Sequence, residues 1–288
     1  MTSAIPFHRI AIVGTGLIGG SFALALRRQF PSLSVVGFDR SEILERALAL
    51  FAVQEASVTL ADAVRGADLI YVALPVGATI EALSEIAAHA GPRALVTDTC
   101  STKDVICRAA NEKFSGGARF LGGHPMAGKE HPGIDRADAD LFRGAPYALI
   151  AQENDSDERV RAFSEIVRAI GAKPIWCDAE THDWSVGIVS HLPQLISIAL
   201  ARVVQDETDE TGLPLSLAGP GLRDLLRIAG SPYALWRDIV LTNKENISHS
   251  LDRLAQAIDH LRANLASKEL EQEFKAANDL YAELRKPH

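Results

Sequence analysis

The feature that most constrains the fold is a glycine-rich turn near the N-terminus. The apolar run Ile10–Val13 is typical of a buried strand, and it leads directly into the turn at residues 14–19. A helical pattern follows, and a second apolar run at residues 33–38 ends on Asp39. A G-x-G-x-x-G turn between a strand and a helix, with an acidic residue about 20 positions later, indicates a βαβ unit that binds a dinucleotide.

Each part of this fingerprint has a physical task. Gly14 permits the tight turn, Gly16 lets the backbone approach a pyrophosphate because it has no Cβ, and Gly19 lets the helix pack closely on the strand. The first turn of that helix presents free N–H groups to the phosphates. Asp39 can accept hydrogen bonds from both ribose hydroxyls and would repel a 2′-phosphate, which favours NAD, whereas Arg40 leaves NADP as the alternative.

The predicted cofactor contacts come from this turn, from the end of the second strand and from two later strand ends. They are Gly14, Thr15, Gly16, Leu17, Ile18, Gly19, Asp39, Arg40, Leu74, Pro75 and Thr99.

Composition excludes several classes of protein. The chain has 288 residues, 47% hydrophobic and 23% charged, which is typical of a globular protein of two domains. Its net charge of −8 argues against non-specific nucleic-acid binding. Cys100, Cys107 and Cys177 match no metal-ligand spacing, which fits a reducing cytoplasm. We expect no signal peptide and no apolar stretch of the ~18 residues that a membrane span needs.

Strands alternate with helices up to Cys177, and only helical patterns follow. The pattern predicts a Rossmann-like, doubly wound, mainly parallel sheet over residues 1–179 and an all-helical domain over residues 180–288. The helix predicted over residues 181–205 is so apolar that it must form the core of the helical domain, a subunit interface, or both. Helical patterns also cover residues 222–229, 233–264 and 270–284.

Two serines and one proline predict where helices begin or kink. Ser41 is predicted to cap the helix that runs to Phe51. Ser101 is predicted to open the helix that runs to Phe114. Pro193 is predicted to kink the long apolar helix from within, because it removes one N–H donor.

Two polar clusters lie in the sheet domain. The segment 97–103 follows a strand, where open α/β sheets bind their ligands, and its Ser101 either caps a helix or faces the site. The segment 122–130 holds His124 in a glycine-rich loop, and Pro125 disfavours helix at that histidine. A histidine in this setting indicates a catalytic imidazole.

A third cluster lies in the helical half. His191 interrupts an apolar helix shortly before Pro193, which is typical of a helix bent around a site. Arg223 and Arg227 are spaced i,i+4 and therefore share a face. One of them is suited to a bidentate contact with a carboxylate, and the other is predicted to form a surface pair.

These clusters resemble those of the prephenate/arogenate dehydrogenases of tyrosine biosynthesis. The matching strings are G-T-G-L-I-G-G-S from Gly14, T-D-x-x-S-x-K from Thr97, G-G-H-P-M-A-G-x-E from Gly122, S-H-L-P from Ser190, and R-D-x-x-R-I-A from Arg223 with W-R-D from Trp236. The resemblance implies oxidative decarboxylation of a dicarboxylate cyclohexadiene. Hydride leaves ring C4 for the nicotinamide, CO2 leaves C1, and the ring becomes aromatic.

The resemblance also implies roles for individual residues. His124 matches the base or hydrogen-bond acceptor for the 4-hydroxyl proton, and Ser101 matches the serine that orients this histidine. Arg227 matches the arginine that binds the substrate carboxylate. Glu130 resembles a gating carboxylate that can pair with this arginine.

Residues of the helical half are implied in assembly and in the choice of substrate. His191 matches a histidine that contacts the substrate. Trp236 resembles a tryptophan that reaches into the neighbouring subunit's site, which implies a homodimer. Gln194 stands where many members have histidine. Because a neutral amide accepts from an ammonium group that an imidazolium would repel, Gln194 favours arogenate over prephenate, unless it is only a solvent-facing helix residue.

Two other functions stay open at this point. A β-hydroxyacid-type dehydrogenase shares the scaffold but needs a catalytic lysine on the helix after the domain boundary, and residues 181–207 contain none. A non-catalytic NAD-binding regulator would not need His124 and Arg227 to converge. The catalytic interpretation predicts that these two side chains meet across a cleft beside the glycine turn.

Overall fold

The computed structural model describes residues 6–114, 117–151, 153 and 155–286. Up to Cys177, one eight-stranded sheet organises the chain. Its strands are β1 (Arg9–Val13), β2 (Ser34–Phe38), β3 (Glu55–Ala56), β4 (Leu69–Val72), β5 (Leu95–Asp98), β6 (Arg119–Pro125), β7 (Pro146–Ile150) and β8 (Lys173–Cys177). Helices along this part are α1 (Leu17–Gln29), α2 (Ser41–Ala49), α3 (Leu60–Val64), α4 (Val76–His89), α5 (Asp104–Lys113) and α6 (Glu158–Ala169).

The strand order is β3-β2-β1-β4-β5-β6-β7-β8, and every neighbouring pair is parallel except β6 with β7. The predicted doubly wound, mainly parallel sheet is therefore confirmed. The chain leaves β1 toward β2 on one side and returns to β4 on the other, which opens a crevice at the carboxyl ends of β1 and β4. Strand β3 was not predicted, because it consists of two exposed residues and has no apolar run.

Apolar helix faces on the sheet form the core of this half. Residues of β1 and β4 are almost entirely buried, which explains their unbroken apolar runs. Phe22 of α1 stacks on Tyr71 of β4, with ring centroids 3.8 Å apart. Phe142 meets Phe22 edge-on at 6.3 Å. Helix α1, which follows the glycine turn, is thus fixed in position by aromatic packing.

Beyond Cys177 the described residues form helices and no strand. These are α7 (Ala179–Val186), a π-helical turn (Gly187–His191), α8 (Leu192–Asp206), α9 (Leu213–Ser216), α10 (Pro220–Leu226), a 3₁₀ turn (Arg227–Gly230), α11 (Tyr233–Thr242), α12 (Lys244–Ala263) and α13 (Glu269–Leu284). An N-terminal sheet domain followed by a helical domain matches the predicted fold class.

The long apolar helix runs without a break from Ala179 to Asp206, with Pro193 inside it as predicted. The distortion associated with the proline is a π-helical turn, Gly187–His191, that ends just before it. Because proline offers no N–H to the carbonyl four residues earlier, the preceding turn widens instead of continuing as α-helix. The helical pattern over residues 233–264 forms two helices, since α11 ends at Thr242 and α12 begins at Lys244.

Two predicted helix caps are wrong. Helix α2 has Arg40 at its N-cap, and Ser41 is already its first helical residue. Helix α5 begins at Asp104 rather than Ser101. Its first N–H groups are instead satisfied from another helix by the carboxylate of Asp183, as described below.

One helix of the second half presents an apolar surface that this chain does not cover. Within Ala179–Asp206 the most apolar 18-residue window has a mean hydropathy of 1.5, so by length and composition alone this helix could cross a membrane, which corrects the expectation that no stretch reaches that length. Only 28% of its most apolar window is buried within the chain. Val189 and Val203 are 67% and 57% exposed. Its opposite face carries buried polar residues, including Asp183 and His191, which face the rest of the molecule.

Candidate active site

The glycine turn lies at the crevice between β1 and β4. Gly14 has a φ of +91°, and a Cβ there would lie 2.4 Å from the backbone oxygen of Ala73. A Cβ on Gly19 would lie 1.9 Å from the oxygen of Gly14, so α1 can approach the turn only through glycine. The space beside Gly16 is open to 4 Å, which leaves room for a pyrophosphate. These residues therefore fit a dinucleotide.

Asp39 ties the second strand to this turn. Its Oδ2 accepts from the backbone N–H of Thr15 at 2.7 Å, and its Oδ1 accepts from the N–H of Arg40 at 2.8 Å. Arg40 itself is exposed. Asp39 thus lies against the glycine turn with its carboxylate already acting as a hydrogen-bond acceptor, which fits the ribose hydroxyls of a dinucleotide.

A cavity of about 350 Å³ opens beside the turn, between the sheet and the helical half. Its walls come from both halves of the chain. The sequence-predicted site residues that line it are Leu17, Ile18, Leu74, Pro75, Thr99, Ser101, His124 and Glu130, and the helical half adds Ser231, Pro232, Leu235 and Ile239. The carboxyl ends of β4, β5 and β6 therefore meet in one cavity, as expected for an open α/β sheet.

A second cavity of about 720 Å³ adjoins the first. The two share Ser231 and the loop 128–130, and His124 lines only the first cavity whereas Arg227 lines only the second. Glu130 Oε1 lies 3.6 Å from Arg227 Nη1, and both side chains are 60% exposed. Arg223, one helical turn away, is exposed and lines neither cavity. The geometry thus separates the two arginines that the sequence could not distinguish.

His124 is buried at the end of β6, and its hydrogen-bond partner is another histidine. His124 Nδ1 lies 2.9 Å from His182 Nε2. Among the described residues, no hydrogen bond joins His124 to Ser101, which is the orienting residue that the resemblance implied. His182 was missed because it lies 58 positions away on α7, and only the pairing of a histidine with the next residue, Asp183, could have drawn attention to it.

A buried ion pair supports the strand ends beneath the cavity. Lys103 Nζ and Asp98 Oδ2 form a salt bridge in which both side chains are fully buried. Lys103 also donates to the Gly123 oxygen at 2.8 Å, and Asp98 accepts from the Gly123 nitrogen at 3.1 Å. Burial lowers the pKa of Lys103, but the attraction of Asp98 outweighs it and the net change is upward. The Lys103 ammonium thus stays charged beside Asp98, and the two side chains together hold Gly123, the residue before His124.

Three residues predicted to bind substrate line neither of these two cavities. His191, Gln194 and Trp236 are buried or half-buried, and Gln194 does not face solvent, since it is only 3% exposed. The indole of Trp236 meets His191 of its own chain edge-on, with centroids 5.8 Å apart. One nitrogen on each side chain (His191 Nε2, Gln194 Nε2 and Trp236 Nε1) is buried with no partner among the described residues. Such groups cost free energy unless a ligand or water satisfies them.

His191 makes the folded chain sensitive to acid. Burial lowers its pKa from the ordinary 6.5 to about 4. Between these values the unfolded chain binds a proton that the folded chain does not, so the free energy of unfolding falls as the pH drops. The contribution of His191 over this interval is about 3 kcal/mol. In urea titrations at pH 6.5 and pH 4, we expect His191→Asn to lose less stability than the unaltered chain. An equal loss in both chains would contradict this assignment.

The comparisons with known proteins agree over the whole molecule. Family models described as "Prephenate dehydrogenase, nucleotide-binding domain" and "Prephenate dehydrogenase, dimerization domain" match residues 22–176 and 178–278. The chain is 33% identical over 263 residues to the prephenate dehydrogenase of Lactococcus lactis subsp. cremoris, spanning 91% of this chain and 72% of that protein.

Solved structures of similar proteins have the same fold. Prephenate dehydrogenase from A. aeolicus, in complex with hydroxyphenyl propionate and NAD+, has a TM-score of 0.89 and 27% identity over 99% of this chain and 100% of that one. Synechocystis arogenate dehydrogenase has a TM-score of 0.82 and 32% identity over 96% of this chain and 99% of that one. The chain therefore belongs to the prephenate dehydrogenase family.

Proposed function

We propose that this protein is an NAD-dependent dehydrogenase of tyrosine biosynthesis that oxidatively decarboxylates arogenate, prephenate or both. The products are tyrosine and 4-hydroxyphenylpyruvate, respectively. The observation that carries the proposal is the position of His124, which is buried in the wall of a cavity that also includes Leu17 and Ile18 of the glycine turn. A β-hydroxyacid-type activity has no lysine in residues 181–207 to support it.

His124 supplies the acceptor for the 4-hydroxyl proton. Burial, together with the nearby His182, Lys103 and His191, lowers the pKa of His124 well below 6.5, so the imidazole is neutral at pH 7. A neutral ring nitrogen accepts the proton as the C4–O bond gains carbonyl character. NAD held at the glycine turn and Asp39 would supply the acceptor for the hydride of ring C4, and loss of CO2 from C1 would leave an aromatic ring.

Arg227 is proposed to bind a substrate carboxylate, and Glu130 to occupy that guanidinium in the absence of substrate. Arg227→Gln should lower kcat/KM about 30-fold or more, because a guanidinium–carboxylate contact contributes about 2 kcal/mol or more. The matched control is Arg223→Gln, one helical turn away and outside both cavities. That variant should stay within about two-fold, since exposed substitutions have small effects. Equal losses in both variants would remove Arg227 from the site.

The test of the function is an assay of four combinations: NAD or NADP with arogenate or prephenate, each followed by absorbance of the reduced cofactor. Because Gln194 is a buried neutral amide, whose oxygen can accept from an ammonium group that an imidazolium would repel, we propose a preference for arogenate. Gln194→His should shift the ratio of kcat/KM values toward prephenate. A strong preference for prephenate that this substitution leaves unchanged would contradict the substrate proposal, and no turnover in any combination would contradict the function.

NAD is proposed as the preferred cofactor. The Asp39 carboxylate at the end of β2 supports this choice, because it would repel a 2′-phosphate, and Arg40 beside it is exposed. The same assay tests the choice, since a higher kcat/KM with NADP would overturn it.

We also propose that the chain divides near residue 179 and that residues 180–288 form a homodimer. The uncovered apolar face of the helix Ala179–Asp206 supports a second copy as its partner. The reach of Trp236 into a partner's site remains part of this proposal. Sedimentation of the unaltered chain as a monomer at assay concentrations would contradict it.

A cytoplasmic location is proposed from the free cysteines, and the net charge of −8 gives no reason to expect a nucleic-acid partner.

A further inference from the structure

Three buried side chains form a hydrogen-bonded series that begins at the proposed base. His124 Nδ1 lies 2.9 Å from His182 Nε2, and His182 Nδ1 lies 2.7 Å from Asp183 Oδ1. The exposed fractions of the three residues are 8%, 3% and 3%, so these contacts are largely shielded from solvent. The series crosses from the sheet to the first helix of the second half.

The direction of each hydrogen bond follows from the surroundings of Asp183. Its Oδ1 also accepts from the N–H of Lys103 at 2.7 Å, and its Oδ2 accepts from the N–H of Asp104 at 2.9 Å. A carboxylate that accepts on both oxygens requires a donor at His182 Nδ1. A neutral His182 then has a lone pair at Nε2 and can only accept from His124.

We propose that His182 and Asp183 are positioning residues that hold His124 with its proton on Nδ1, so that Nε2 is the nitrogen free to take the proton of the substrate. This proposal rests on the function proposed above. If His182 presented N–H to His124 instead, the proton of His124 would lie on Nε2, and that nitrogen could not act as a base. The arrangement therefore selects the reactive tautomer before any ligand binds.

The same hydrogen-bonded groups also affect the stability of the protonated, positively charged form of His124. As Nε2 gains a proton, the Nδ1–H remains directed at His182, whose other nitrogen is held by Asp183. The charged and titratable groups that face His124 are Lys103 at the start of α5, His182 on α7 and His191 in the π-helical turn. Lys103 is matched by Asp98. Asp183 is thus the carboxylate that, through His182, offsets the positive charge that develops on His124.

The activity test uses a pair of substitutions that differ only in hydrogen bonding. His182→Gln keeps the connectivity, because its amide oxygen accepts from His124 and its NH2 donates to Asp183. His182→Leu removes both bonds. We expect His182→Leu to lower kcat on the order of 100-fold, with the Kd for NAD unchanged, and His182→Gln to retain most of the activity. The control His249→Leu, at an exposed position on α12, should leave kcat unchanged.

The pH profile separates positioning from a general packing role. Loss of the acceptor should move the acidic fall of kcat/KM to lower pH in His182→Leu, because the imidazolium form of His124 loses its partner. In His182→Gln this fall should stay near that of the unaltered chain. Equal losses of activity in the Leu and Gln variants, or an acidic fall that does not move in His182→Leu, would overturn the proposal.

A measurement on the ligand-free chain tests the tautomer without any assay of activity. Nitrogen-15 NMR of histidine-labelled protein distinguishes the protonated ring nitrogen from the unprotonated one, with the resonances assigned through His124→Asn and His182→Gln. We expect His124 to carry its proton on Nδ1, and a proton on Nε2 would overturn the proposal even if His182→Leu failed to fold. If the chain oxidised neither arogenate nor prephenate, the proposed function would fail while this result still decided the tautomer.

Discussion

His124→Asn should lower kcat by about 100- to 10,000-fold with the favoured substrate, which is the range that general acid–base groups contribute. Asparagine can keep a hydrogen bond to His182 but cannot take up a proton at pH 7. The Kd for NAD, measured by fluorescence or calorimetry, should change little, because the glycine turn and Asp39 hold the cofactor through other atoms. Steady-state kinetics and NAD titration of one protein preparation measure both quantities.

The pH dependence of the unaltered enzyme is a second check on the same residue. Burial lowers the pKa of His124 well below the ordinary 6.5, so the neutral, proton-accepting form persists through the ordinary histidine range. We therefore expect kcat/KM to fall only at a pH well below 6.5, as the imidazole becomes protonated.

Simultaneous loss of NAD binding and turnover in His124→Asn would indicate a histidine that supports the fold rather than the reaction.

Lys103→Met should destabilise the folded chain by about 3–5 kcal/mol. The substitution leaves the Asp98 carboxylate without its cation at a fully buried position, and an uncompensated buried charge is among the most costly single changes in a protein. It also removes the donor to the Gly123 oxygen. Urea titration at pH 7 measures the change in the free energy of unfolding.

Two further variants isolate the cause. Arg65→Met removes a surface ion pair with Asp62, in which the side chains are 62% and 58% exposed, and should cost at most about 1 kcal/mol. Adding Asp98→Asn to Lys103→Met should recover part of the loss, since the buried negative charge disappears. If Lys103→Met cost no more than the surface variant, the buried pair would not stabilise the strand ends.

Most of the fold could be predicted from the sequence, because the patterns that indicate strands, helices and the glycine turn are local. The glycine turn, the apolar strands and the helical periodicity each depend on neighbours within a few residues. Proline was the exception in the long helix, because its missing N–H can be accommodated in more than one way. The chain widens the turn before Pro193, whereas the sequence pattern suggested a kink at the proline itself.

Helix starts were less predictable where the capping group is distant in sequence. Ser101 and Thr102 precede α5 and look like ordinary caps, but the acceptor for the first N–H groups of α5 is Asp183, about 80 residues later. Because Ser101 is not part of α5, it lies in the wall of the cavity that His124 also lines. A local rule for capping could not have chosen between these arrangements.

By itself, the sequence determined the sheet-then-helices order, the dinucleotide turn with its acidic partner, and the histidine and arginine clusters that resemble the family. Only the tertiary structure decided that Arg227 rather than Arg223 lines a cavity, that His182 rather than Ser101 bonds His124, and that Lys103 is neutralised by Asp98. Periodicity and motifs report which residues share a strand or a helix face. The partner of a buried polar group is chosen by packing between elements far apart in the chain, and that packing has no local signature.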